Sequence, residues 1–165
     1  LRLSAASAIA RKFFSDDLFR TIIQLIKSPQ EEKKKRETLQ ALLHVEPNEF
    51  WNSHYNFDER SPKRVQALGS ERINDMIINA IAPIAFLYAR TFKDKNVREG
   101  TLRLYESFPP LTENSLTRLM EKQLLKGKLK LTSVSAQQGA IQLYKFYCRE
   151  ERCEECEVGR VVFEK

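Results

Sequence analysis

Three cysteines occur in 165 residues, and all fall within nine positions as Cys148-x4-Cys153-x2-Cys156. The two-residue spacer of the CxxC half forms a tight turn in which two thiolates converge on one cation. A closed structural zinc site takes four soft ligands, so one is missing locally. It would come from a histidine, a water or a cysteine outside this sequence, with His54 as the candidate fourth ligand and His44 as the other histidine. The cofactor of such a set is zinc or an iron–sulfur cluster, because C-x4-C-x2-C also opens plant-type cluster ligation. Five glutamates, at 150, 151, 154, 155 and 157, surround the thiols. Negative neighbours raise thiol pKa values, which opposes a reactive nucleophile but not a divalent cation. A metal clasp, reduced thiols packed at a helix end, and redox chemistry all stay open.

His54 sits in Trp51-Asn52-Ser53-His54-Tyr55 and reads as a general base, a metal ligand or a hydrogen-bonded structural histidine. A base needs a partner and a pocket. No serine or cysteine nucleophile motif accompanies it, so the structural role is the default. Among the cations, Lys33–Arg36 lies between Glu31, Glu32 and Glu37, which pair with it along a helix surface. A second group, Lys122, Lys126, Lys128 and Lys130, precedes Gln137, Gln138 and Gln142, a faint helix-turn-helix pattern. These residues carry an alternative reading as a nucleic-acid interface, against the plainer one of solvated lysine faces. The 28 Lys and Arg outnumber 22 Asp and Glu, giving a net charge of +6, which permits a nucleic-acid partner without requiring one.

Helices must position these groups, since apolar residues recur at three- and four-residue spacing almost throughout. Ser4–Phe14 and Asp16–Lys27 are expected helices, the second capped by Ser15. Ser28 and Pro29 then open a helix running to about Leu43. The aromatic-rich Glu46–Phe57 locks a turn onto the body, and polar Asp58–Gly69 reads as a flexible connection. Ser70–Phe92 is apolar on every side at its middle and is the expected buried hub, kinked by Pro83. Asn79, one turn earlier, is placed to satisfy the loosened backbone. Val97–Phe108, Glu113–Lys126 and Ser135–Tyr147 follow, with Thr112 as an N-cap and Gly127 at a C-terminus. Val161–Phe163 suggests a short strand or an extended tail. The domain plan is therefore residues 1–57, a connection at 58–69, a bundle over 70–147 and a cysteine-bearing tail over 148–165, all one compact domain.

Several function classes are excluded. The sequence holds no GxxxxGK[ST], GxGxxG or HExxH motif. At 42% hydrophobic residues it is not a disordered chain, and five Gly with six Pro exclude a collagen-like one. The apolar run Met76–Ala89 is broken by Asn79 and Pro83 and falls short of the roughly 18 residues that cross a bilayer.

The segments Phe50–Phe57 (FWNSHYNF), Leu68-Gly69, Ile78–Pro83 (INAIAP) and Tyr147–Gly159 (YCREERCEECEVG) resemble a bacterial family known mainly from the Bacteroidetes, domain-of-unknown-function family 2851. The resemblance spans about Phe50 to Gly159, more weakly upstream, and is to the C-terminal helical part of two-part proteins. It implies no activity, but it does imply a further N-terminal module, with this part binding a partner or positioning a substrate. The opening Leu1, where a Met would start a chain, agrees with a fragment of something longer. The expectation is an all-α, irregular multi-helix bundle around a buried, proline-kinked central helix. Its expected role is a non-enzymatic binding or scaffold domain of a larger bacterial cytoplasmic protein, partnered by another module of its own chain or by a separate protein. A nucleic-acid-binding domain and an accessory domain of a metal-dependent enzyme are the alternatives.

Overall fold

The three- and four-residue apolar spacing resolves into helices in the computed structural model, which describes residues 2–15, 17–124 and 130–163. Contacts divide the chain after Ser107, into units Leu1–Ser107 and Phe108–Lys165. Among the described residues no helix is long and apolar enough to cross a membrane.

The first unit holds α1 (Arg2–Ser15), α2 (Leu18–Lys27), α3 (Glu32–Leu43), α4 (Ser70–Met76), a π-helical turn (Ile77–Ile81), α5 (Ala82–Thr91) and α6 (Lys95–Glu106). Helix α6 packs against α5, α2 and α3, and α2 also touches α1 and α3. Ile22 and Ile26 of α2 meet this centre together with Leu39 and Leu43 of α3 and with Val97 and Leu104 of α6, all buried. The α2–α6 approach requires glycine, because a Cβ at Gly100 would lie 2.5 Å from the Ile26 carbonyl oxygen.

Two expected helix starts move. Ser15 ends α1, and Asp17 precedes α2 with φ 51°, its carboxylate paired with Arg20 at 3.1 Å. Ser28 closes α2 instead of opening α3: its amide and hydroxyl donate to the Leu25 carbonyl at 3.1 and 2.7 Å. Lys35, expected on a solvated face, is 1% exposed. It shares the four-residue stripe of Leu39 and Leu43, and its Nζ donates to the Ile26 carbonyl at 3.3 Å and pairs with Glu32 at 3.0 Å. Arg103 of α6 meets the same Glu32 carboxylate at 3.5 Å.

The Ser70–Thr91 rod is buried along one face, not on every side. Ile73, Ile77, Ile81, Ala85 and Ala89 face the core, whereas Ile84 and Leu87 are 50% and 54% exposed. Steps of four residues overshoot a 3.6-residue turn by about 40° each, so this stripe would wind off the core. The π-helical turn takes up an additional residue and returns it: the Ala82 N–H donates to the Ile77 carbonyl, five residues back. Pro83, which has no N–H to give, falls directly after, in the first turn of α5. Asn79 Nδ2 donates to the Asp75 carbonyl at 2.9 Å, four residues back, whereas the donor that Pro83 withholds is the one that would meet the Asn79 carbonyl. The 58–69 segment is anchored: Val65 is buried, and Ala67 joins Ala5, Ile9 and Val45 in a small apolar cluster.

The second unit holds α7 (Ser115–Leu124), α8 (Val134–Leu143), a π-helical turn (Tyr144–Cys148), a 3-10 turn (Cys153–Glu155) and α9 (Glu157–Phe163). Asn114, not Thr112, caps α7, its Oδ1 accepting from the Leu116 and Thr117 amides at 2.9 Å each. Gln137 is buried, and its amide bridges the Leu111 N–H at 2.7 Å and carbonyl at 2.9 Å. That use removes it from any base-reading face. Val161–Phe163, expected as extended, closes α9. Gly127, Lys126 and Lys128 lie outside the described residues.

Candidate functional site

The loop between α3 and α4 carries the aromatic residues singled out in the sequence. Val45 at its start and Val65 and Ala67 near its end are buried, so both stems are fixed to the helical body. A short turn follows Asn48, whose Oδ1 accepts from the Trp51 amide at 3.1 Å and whose carbonyl accepts from the Asn52 amide at 2.9 Å. Asn56 makes the reversal, its Oδ1 accepting from the Asp58 and Glu59 amides at 3.2 and 3.0 Å. The returning strand-like stretch bridges His54 to Arg60, and then the Ser61 amide donates to the Ser53 carbonyl at 2.6 Å and Val65 to Asn52 at 2.8 Å.

The turn gathers a set of rings. Phe50 stacks on His54 with centroids 4.2 Å apart, and Trp51 meets Phe50 and Phe57 edge-on at 4.9 and 5.1 Å. Tyr55 and Phe57 are 65% and 80% exposed. His54 Nδ1 lies 2.9 Å from the Phe50 carbonyl oxygen, which can only accept, so that nitrogen carries the proton. With Nδ1 protonated, His54 cannot take a proton from Ser53 Oγ, 3.0 Å away. The histidine therefore ties the turn together.

Beside the rings is an open depression of about 540 Å³, lined by Asn52, Ser53, Arg60, Ser61, Pro62, Lys63 and Arg64. Among the described residues no carboxylate lines it. Arg64 is shared with Glu46 at 3.1 Å, and Glu46 also accepts from His44 at 3.0 Å. The His44 hydrogen bond, with Arg64 behind it, holds the Glu46 carboxyl below the usual range. Sequence reasoning missed Asn52, Arg60, Ser61, Lys63 and Arg64. The signal was the Arg-Ser-Pro-Lys-Arg run within a stretch read as a linker.

The cysteines lie in the second unit. Cys148 ends the π-helical turn, Cys153 opens the 3-10 turn, and the buried Cys156 accepts the Arg160 amide at 2.9 Å through its carbonyl. Gly159 packs so closely on the Cys153 carbonyl that a Cβ would collide with it. Burial, and then the nearby Cys156 and Cys153, push the Cys148 thiol up, which keeps it protonated. Arg152 pairs with Glu155 and lies 5.7 Å from the Tyr147 ring centre, fastening the segment. Among the described residues, no three His, Cys, Asp or Glu side chains are grouped to hold a metal ion. His54 belongs to the other unit, with its own partners. Lys122 and Lys130 are exposed.

The sequence model of a family described as "Protein of unknown function (DUF2851)" matches residues 2–115. The match covers α1 to α6 and the aromatic loop but stops before the cysteines, which the sequence resemblance had included. No curated protein and no solved structure matches the chain.

Proposed function

The chain belongs to the DUF2851 family, and from that premise we propose that its Leu1–Ser107 unit is a non-enzymatic binding module that takes single-stranded nucleic acid on the 46–69 loop. The carrying observation is the pairing of exposed rings, Tyr55 and Phe57, with a depression lined by Arg60, Lys63 and Arg64. Unpaired bases stack on aromatic faces for about 1–3 kcal/mol each, and cations alongside follow the phosphates. The hydrogen-bonded return between residues 52–54 and 60–65 fixes rings and cations relative to one another, which limits the ordering cost of binding. Free thiols at Cys148, Cys153 and Cys156 suit a reducing compartment, and we read the module as part of a larger cytoplasmic bacterial protein.

The test is fluorescence anisotropy with a labelled single strand of about 12 nucleotides, titrated across a salt series. Affinity should fall linearly on a log–log plot as counterions are released. The Tyr55→Ala, Phe57→Ala double variant should weaken it by about tenfold or more. No binding at low salt, or binding indifferent to both rings, would reject the reading.

A further inference from the structure

We infer that the depression lined by Asn52, Ser53, Arg60, Ser61, Lys63 and Arg64 holds a phosphate monoester, the terminal phosphate of the bound strand. This rests on the proposal that the loop takes a single strand. Charge decides between a strand's end and its interior. Arg64 shares its charge with Glu46, and among the described residues no ion pair engages Arg60 or Lys63. Two cations are thus left without a carboxylate in a site lined by three. A monoester carries about −1.5 to −2 charges near neutral pH, whereas an internal diester carries only one. The dianion is the better match.

The remaining polar groups are placed for the same ligand. Ser61 Oγ accepts from the Lys63 amide at 3.3 Å, so its own proton is left to donate outward. The Ser61-to-Ser53 and Val65-to-Asn52 backbone bonds hold the two sides of the depression together. Arginine and lysine divide the recognition in the ordinary way, the guanidinium by a forked pair of N–H donors and the ammonium as a point charge. The exposed rings then receive the first bases of the strand.

The experiment compares one labelled oligonucleotide with and without a 5′-phosphate, at fixed salt. The wild type should bind the phosphorylated strand about tenfold more tightly, the gain of one charge-assisted contact set in a partly exposed site. In the Arg60→Ala, Lys63→Ala variant the ratio of the two affinities should collapse toward one, whatever happens to the affinity overall. Both side chains are exposed, and Trp51 fluorescence reports whether the loop keeps its fold. Equal affinity of the wild type for both strands overturns the inference while leaving the nucleic-acid reading standing. If neither strand binds, inorganic phosphate is titrated against the Arg60 side-chain N–H signals by NMR. A saturable shift, absent in Lys63→Ala, keeps the phosphate site and discards the nucleic-acid reading; no shift discards both.

Discussion

Replacing Gly100 by alanine sets two opposed terms against each other. In an exposed helix interior, alanine is favoured over glycine by about 1 kcal/mol. At Gly100 the new Cβ would stand 2.5 Å from the Ile26 carbonyl oxygen and 3.0 Å from the Ile26 Cγ2. Even close C–H···O contacts between helices lie at about 3.3–3.6 Å, so α6 and α2 must part by roughly 0.8 Å. Overpacking of that kind costs about 1–3 kcal/mol, and the upper end applies because backbone cannot swing aside as a side chain would. The net expectation is about 2 kcal/mol of destabilisation, a fall of about 1 M in the urea midpoint. The single tryptophan, Trp51, lies in the same unit and reports the transition by fluorescence. Gly139 in α8 is the internal control, because nothing among the described residues lies within 4 Å of the point where a Cβ would stand. Gly139→Ala should stabilise its unit by about 0.5–1 kcal/mol, followed by circular dichroism. A Gly100→Ala protein as stable as the wild type would refute the packing argument.

Three further expectations concern charge and thiols. Lys35→Ala should cost about 3 kcal/mol by emptying a buried volume and leaving the Glu32 carboxylate to Arg103 alone, and Lys35→Met clearly less; a loss below about 1 kcal/mol for alanine in urea titrations would sink the burial argument. The hydrogen bond from Lys27, then that from the Val97 amide, holds the Asp94 carboxyl below its usual range. Its contribution is therefore complete above the unfolded pKa of about 3.9 and is lost as pH falls through the folded value. The stability gap between wild type and Asp94→Asn should stay level near neutrality and narrow in acid, and a gap independent of pH would contradict this. Finally, Cys148 and Cys153 should react with a disulfide reagent before the buried Cys156, and Gly159→Ala should erase the difference by lifting α9 off Cys153. Protection of all three thiols, relieved by a chelator, would assign them to a metal instead.

Helical class was legible because local spacing dictates it: Leu18, Ile22, Ile23 and Ile26 recur on one side of α2 and are buried there. The aromatic turn was legible from composition alone. What escaped was non-local. Lys35 falls in step with Leu39 and Leu43, yet a run of four cations masks the one that turns inward. Ser28 suits either the end of one helix or the start of the next, and only the carbonyl it meets settles which. The Val161–Phe163 segment has extended propensity, overridden when the Arg160 amide meets the Cys156 carbonyl and the chain coils. The depression arises from pairing residues 52–54 with 60–65, a return that follows no periodicity, so Asp58–Gly69 reads as a linker until its hydrogen bonds are known.

The π-helical turn at Ile77–Ile81 gives the rod a tolerance that an ordinary helix lacks. Deleting one residue from a plain α-helix rotates everything downstream by about 100° and turns its greasy stripe toward water. Here the exposed Ala80 is in effect spare length. Without it, Ile73 and Ala89 would still look the same way, and the loss would be felt at Pro83, whose ring would press on the carbonyl four residues before it.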